Sequence, residues 1–202
     1  MGDIKEMSLS RFENEMRTYQ EYKHQFLQRG FTENICKQVV SISSLGCFPL
    51  FYLFCSAQNI PDNGTYLEIG SAYGGSLLCV FSASEITKKS FTLIGIDPAP
   101  QQDFNGNVAW ISNLKFFEEI SDKAKDKIAN NYVDLLLIDG DHSYEQVKRD
   151  IQNYLPKVKK GGKIIGDDYN LEGVKNASDE IFGDKLEFPD RTNFWVVEKC
   201  NL

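Results

Sequence analysis

Residues 133–147 read VDLLLIDGDHSYEQV. The run VDLLLI is apolar apart from Asp134 and too short for a helix of ordinary length. It ends in Asp139, Gly140, Asp141 and His142, the last being one of two histidines in the chain. Beyond it Tyr144, Val147, Ile151 and Leu155 recur at helical spacing, which predicts a helix from Tyr144 to Leu155. A strand discharging polar residues into a helix is one βα unit, and the same alternation recurs. TYLEIG (65–70), FTLIGID (91–97) and GKIIGDD (162–168) are further short apolar runs that end in carboxylate or glycine, and LKFF (114–117) is a weaker one. Helical stretches fall at Ser76 to Thr87 and Asp122 to Ala129. Strands buried on both faces and alternating with helices predict an α/β fold with a doubly wound, mostly parallel sheet. LEFP (186–189) and FWVVEK (194–199) flank PDRTN and predict a closing hairpin, giving seven strands with an antiparallel strand at the C-terminus.

The segment before the first strand reads differently. Residues 1–60 form an N-terminal helical extension to a main domain over 61–202. Ser10 with Glu13 has the form of a capping box, and Phe12, Met16, Tyr19, Phe26 and Leu27 follow near helical spacing until Arg29-Gly30. Thr32 is placed to cap a second helix through Ile35 and Val39. CFPLFYLFCSA (47–57) predicts a third, with Pro49 suited to a first turn and PDNG (61–64) as the stop. Residues 38–61 carry no charge, but Ser41, Ser43, Ser44, Gly46 and Pro49 dilute the run, so a buried helix fits better than a membrane span. The aromatic-rich helices are the natural contact of a homo-oligomer.

A net charge of −7, from 22 Lys and Arg against 29 Asp and Glu, argues against a nucleic-acid partner. The five cysteines are an odd number with no C-x-x-C pair, and the N-terminus lacks the layout of a signal peptide. Reduced, buried thiols in a cytoplasmic protein are expected.

In a doubly wound sheet, ligands sit beyond the carboxyl ends of the strands. The first such end is LEIGSAYGGS (67–76). Gly70, Gly74 and Gly75 permit a tight turn into a helix start, where free N–H groups attract an anion. Ala72 replaces the second glycine of a dinucleotide loop, and Glu68 would oppose a pyrophosphate. A zwitterion fits better: its ammonium needs an acceptor, while its carboxylate takes the N–H groups and the Ser76 hydroxyl. The loop alone is equally consistent with a purely structural strand-to-helix turn. Asp97, twenty-two positions after Gly75 in IGIDP, ends the next strand and could accept both hydroxyls of a ribose.

Glu-Ile-Gly-x-x-x-Gly-Gly-Ser followed by Ile-Asp-Pro resembles the cofactor signature of class I S-adenosylmethionine-dependent methyltransferases, over roughly residues 60–200. The resemblance implies a Rossmann-like sheet, S-adenosylmethionine as cofactor, Glu68, Gly70, Gly74 and Ser76 near its methionine part, and Asp97 at its ribose. It also implies Ser121 near the adenine and Asp139 beside the cofactor.

Asp139 ends one strand and Asp167-Asp168 the next. If the two strands are neighbours, their ends lie about 5 Å apart. Carboxylates converging there repel unless protonated or bridged, and a hard divalent ion such as Mg²⁺ suits them. His142, three residues on, has an ordinary pKa suited to taking a proton from a hydroxyl. IDGDHSYEQVKRDI and LPKVKKGGKIIGDDY together resemble the metal-dependent O-methyltransferases that act on macrolide sugars such as mycinamicin, and more distantly catechol O-methyltransferase. That resemblance implies Mg²⁺ ligation by Asp139, Asp167 and Asp168, His142 as the base, and a small hydroxylated acceptor. Phe104, Trp110, Tyr144 and Tyr169 are candidates for an acceptor pocket. The competing readings are a catalytically silent binding module of the same fold and a nicotinamide-dependent oxidoreductase.

Overall fold

The protein, seen in a computed structural model, is described for residues 2–199, with side chains from residue 9 onward. Cys200 lies outside them; the four described cysteines are free thiols. Three helices lead: α1 (Gly2–Gln28), α2 (Glu33–Ile42) and α3 (Cys47–Ala57). The helix α1 begins upstream of Ser10, so Ser10 and Glu13 lie within it and not at its start. Thr32 caps α2 as expected, its hydroxyl accepting the Ile35 N–H at 3.3 Å. Pro49 sits in the first turn of α3, where its missing N–H costs no helical bond.

The alternating part follows as β1 (Thr65–Ile69), α4 (Gly75–Thr87), β2 (Thr92–Ile96), α5 (Phe104–Val108), β3 (Leu114–Phe117), α6 (Ser121–Ala124), β4 (Val133–Ile138), α7 (Tyr144–Tyr154), β5 (Val158–Gly166), α8 (Glu172–Phe182) and β6 (Trp195–Glu198). The helix expected to reach Ala129 is α6 plus one 3₁₀ turn over Lys125–Lys127. The sheet order is β3-β2-β1-β4-β5-β6, parallel except for the antiparallel pair β5–β6.

The described sheet has six strands, not the seven expected. LEFP contributes one antiparallel bridge, Glu187 to Val196, with both N–H···O bonds at 2.9 Å. Leu186 closes a 3₁₀ turn onto Gly183, and Pro189 has no N–H to extend the ladder.

The period-two alternation of side chains divides the core in two. Tyr66, Leu93, Leu135, Leu137 and Ile165 face α1–α4, where Tyr19, Phe26, Phe31, Leu50 and Phe54 are fully buried. Leu67, Ile69, Ile94, Leu136, Ile138 and Ile164 face α7 and α8. The N-terminal helices are thus one layer of the sandwich and share a core with the sheet. No single described helix is long and apolar enough to cross a membrane. Helices α2 and α3 reach that composition only jointly, across a 114° bend, and α3 buries Leu50, Leu53, Phe54 and Ala57 in the core.

At the β5–β6 pair Gly166 stands opposite Trp195, whose indole lies against its Cα; a Cβ there would come within 2.0 Å of the ring. Gly166→Ala should therefore displace Trp195 and destabilise the fold by about 1–3 kcal/mol or more. Urea unfolding checks this, and an unchanged midpoint would show that Trp195 moves freely.

Candidate active site

The ladder continues one residue past the parallel strands. The N–H of Gly70 bonds Ile96 O at 2.8 Å, Asp97 bonds Phe117 O at 3.2 Å, Asp139 bonds Ile69 O at 2.9 Å and Asp167 bonds Ile138 O at 3.0 Å. These four residues therefore stand in one row along the carboxyl edge of the sheet. The strand order reverses between β1 and β4, the crevice where such sheets bind ligands. A cavity of about 570 Å³ opens there, lined by Gly70, Asp97, Ser121, Asp139, His142, Asp167 and Asp168, all expected from sequence.

Asp97 is held rigidly. One carboxylate oxygen accepts the Ala72 N–H and the other the Ala99 N–H, both at 2.8 Å. Each oxygen keeps a free lone pair for a ligand hydroxyl. Ala72 takes a left-handed φ of 44°, so the turn is tight even where glycine is missing. Gly74 is the N-cap of α4, with φ 87°.

Three expected residues lie outside this cavity. Gly74 turns the loop, Ser76 lines a smaller pocket beside it, and Glu68 is wholly buried beneath it. The Tyr66 hydroxyl donates to Glu68 Oε2 at 2.7 Å, while Glu68 Oε1 and Ser71 Oγ are buried without a well-formed hydrogen bond among the described residues, the Ser71 and Ser76 hydroxyls standing close to the carboxylate. Burial pushes the Glu68 carboxyl up to about 7, and neighbouring hydroxyls oppose this only in part.

Ser121 does line the cavity, but its hydroxyl is committed to the protein. It donates to Asp150 Oδ1 at 2.5 Å, and Gln146 Nε2 bonds the same oxygen at 3.0 Å. The Tyr154 hydroxyl fixes the Ser121 carbonyl at 2.8 Å. Gln146, Asp150 and Ser44 reach the cavity without having been singled out in the sequence. The signal for Asp150 was its place between Val147 and Ile151, a carboxylate on a buried helix face.

The acidic cluster is compact. His142 Nε2 lies 3.2 Å from Asp168 Oδ2 and 3.8 Å from Asp139 Oδ1. One ligating atom each from Asp139, His142 and Asp168 falls within 4.8 Å of the others. Asp167 lines the same cavity but does not join that closest set, where His142 stands instead. Burial raises Asp139 above the usual carboxylate range, and burial with the Asp139 charge raises Asp167 to about 7. The Asp139 and Asp168 carboxylates in turn raise the His142 imidazole. Crowded carboxylates of this kind hold protons or a cation, and a set of carboxylate oxygens fits a hard divalent ion. Of the suggested acceptor aromatics, none lines the cavity: Phe104 is core, Trp110 is exposed on Phe81, and the Tyr144 and Tyr169 hydroxyls bond Glu180 and Asp179.

The family profile described as "Methyltransferase domain" matches residues 67–169, which contain all the strand-end residues above. The chain belongs to that family. The nicotinamide-dependent alternative is not favoured by this assignment. An uncharacterized protein, R132, of Acanthamoeba polyphaga mimivirus is 39% identical over 122 residues, covering 54% of this chain and 52% of that one. The chain thus spans about half the length of this relative. Cofactor-bound Rv0187 from MTB superposes with a TM-score of 0.67 at 14% identity, over 88% of this chain and 95% of that one. The O-methyltransferase NovP superposes with a TM-score of 0.62 at 19% identity, over 78% and 82%. At such identities the likeness is one of fold, that of the S-adenosylmethionine-dependent methyltransferases.

The buried Glu68 yields a pH prediction. Its folded pKa of about 7 lies above the ordinary carboxyl value. Its contribution to stability is therefore complete below about pH 4.3 and is lost as pH rises through 7. Glu68→Gln should remove that part of the slope in EDTA buffer, leaving the variant roughly 3 kcal/mol ahead of its expected trend at pH 8. Unfolding free energies measured from pH 4 to 8 check this; parallel curves for the two proteins would contradict it.

Proposed function

We propose that the protein is an S-adenosylmethionine-dependent O-methyltransferase that methylates a hydroxyl of a small acceptor, a sugar or other vicinal diol, with a divalent cation such as Mg²⁺. The observation that carries this reading is the meeting of two features in one cavity. Asp97, braced by the glycine loop, is suited to a ribose, and Asp139, Asp167 and Asp168 gather at the adjoining strand ends. NovP, itself an O-methyltransferase, supports the choice of oxygen as the methyl acceptor.

In this reading the N–H groups and small residues of the loop after β1 receive the methionine part of the cofactor, and Asp97 accepts from both ribose hydroxyls. The polar wall of Ser121, Gln146 and Asp150 borders the base. A cation held by Asp139, Asp167 and Asp168 would lower the pKa of the acceptor hydroxyl and offset the crowded carboxylates. His142 Nε2 takes the hydroxyl proton. S-adenosylmethionine held there would supply the methyl group, a new oxygen–carbon bond replacing the carbon–sulfur bond and S-adenosylhomocysteine being the leaving group. Positioning and charge neutralisation supply most of the acceleration. Because the neighbouring carboxylates favour protonated His142, the neutral base forms as pH rises, and kcat should rise with it.

Formation of S-adenosylhomocysteine, followed by mass spectrometry over a panel of sugars and catechols with Mg²⁺ or EDTA, tests the reading. Asp168→Asn should lower cation-dependent turnover at least about a hundredfold while leaving S-adenosylmethionine affinity within about twofold. His142→Gln should lower kcat about 10²- to 10⁴-fold and abolish the rise with pH. Equal loss of cofactor binding in Asp168→Asn would overturn the division of roles. An unaltered pH profile in His142→Gln would remove the histidine as base.

A further inference from the structure

The junction between α2 and α3, residues 43–46, carries no charged side chain of its own. It joins the carbonyl end of one helix to the amide end of the next, and each end leaves backbone groups unsatisfied within its helix. Both ends are met by α1. Arg11 Nη2 donates to the carbonyl oxygens of Ser43 at 3.2 Å, Ser44, and Leu45 at 3.3 Å. One turn further along α1, Glu15 Oε2 accepts the N–H of Cys47, the first residue of α3, at 2.6 Å. The Glu15 carboxylate also occupies the space beside Gly46, where a Cβ would stand 3.1 Å from both of its oxygens. Arg11 and Glu15 are spaced i, i+4 and so share a face of α1. Their charges match the helix dipoles, with the guanidinium at the carbonyl end of α2 and the carboxylate at the amide end of α3.

What they hold lies on the glycine loop. A Cβ at Gly75 would come within 2.5 Å of the Ser43 Cβ, so the junction rests against the start of α4. A pocket of about 10 Å³ is walled by Ser43 and Ser44 on one side and by Ser71, Ser76 and Asp139 on the other. Ser44 continues into the wall of the main cavity.

We infer that Arg11 and Glu15 are positioning residues for the cofactor, clamping residues 43–46 onto the glycine loop so that this wall of the cavity is formed before the ligand arrives. The inference rests on the reading that the cavity receives S-adenosylmethionine. A wall ordered in advance removes the cost of ordering it on binding, so the clamp acts on affinity and leaves proton transfer to His142 untouched. The two charges stand at the junction, outside the cavity lining and outside the acidic cluster.

The test compares calorimetric Kd for S-adenosylmethionine, KM, kcat and thermal unfolding for wild type, Arg11→Ala, Arg11→Lys and Glu15→Gln. Arg11→Ala should weaken cofactor binding about tenfold or more and raise KM in step, with kcat at saturation within about twofold. Arg11→Lys, which keeps a cation but loses the planar fork, should recover part of the affinity. Glu15→Gln should show the same split in smaller measure. Unchanged affinity in Arg11→Ala would overturn the clamp. So would a joint fall of affinity, kcat and Tm without rescue by Lys, the mark of a merely structural contact. Failure of the wild-type protein to bind S-adenosylmethionine would overturn the functional reading itself, and the first titration separates that outcome from the others.

Discussion

Parallel strand pairing in register is the constraint on which the rest of the structure depends. Because β2, β1, β4 and β5 end level, the residue after each last rung still donates its N–H to a neighbouring strand, and Asp97, Gly70, Asp139 and Asp167 are set side by side. Backbone hydrogen bonds fix the spacing of the carboxylates, so their mutual repulsion cannot spread them apart. Burial first, and the neighbouring carboxylates after it, raise the pKa values of Asp139 and Asp167. A site that gathers negative charge on a rigid edge is primed for a positive partner, and the sulfonium of the cofactor and a divalent cation both meet that description.

The two faces of the sheet serve the site differently. Helices α7 and α8 cover one face, and α7 sends Gln146 and Asp150 up to the cavity wall. On the other face α1–α3 pack over β1 and β4 through a core rich in aromatic rings, such as Phe26 on Phe51 at 4.5 Å. That layer ends in the uncharged junction beside the glycine loop. The N-terminal helices therefore belong to the architecture of the cavity, and their burial against the sheet keeps Ser44 at its rim.

Most of the sheet was legible because buried parallel strands leave continuous apolar runs; β1, β2 and β4 begin and end within about a residue or two of their runs. The strand β5 is legible in its apolar half only, since Lys159, Lys160 and Gly161 carry its start past a shift in register. The helix α8 leaves little periodic signal in the sequence because Gly173, Asn176 and Asp179 dilute its buried positions Val174, Ala177 and Phe182. At the site, residues that follow strands were readable, as the fold itself sends them to the ligand edge. Ser44, Gln146 and Asp150 arrive through helix packing, which no local pattern encodes. Glu68 is the instructive case: alternation places it opposite Leu67 and Ile69, but only the tertiary structure shows that its face is sealed.

The most direct test of this account is a crystal structure with S-adenosylhomocysteine and Mn²⁺, using the anomalous signal of manganese. The account predicts ribose hydroxyls on the Asp97 carboxylate and one manganese peak among Asp139, Asp167 and Asp168. A nucleoside bound elsewhere, or a cavity in which manganese is absent from those carboxylates at saturating concentration, would contradict it.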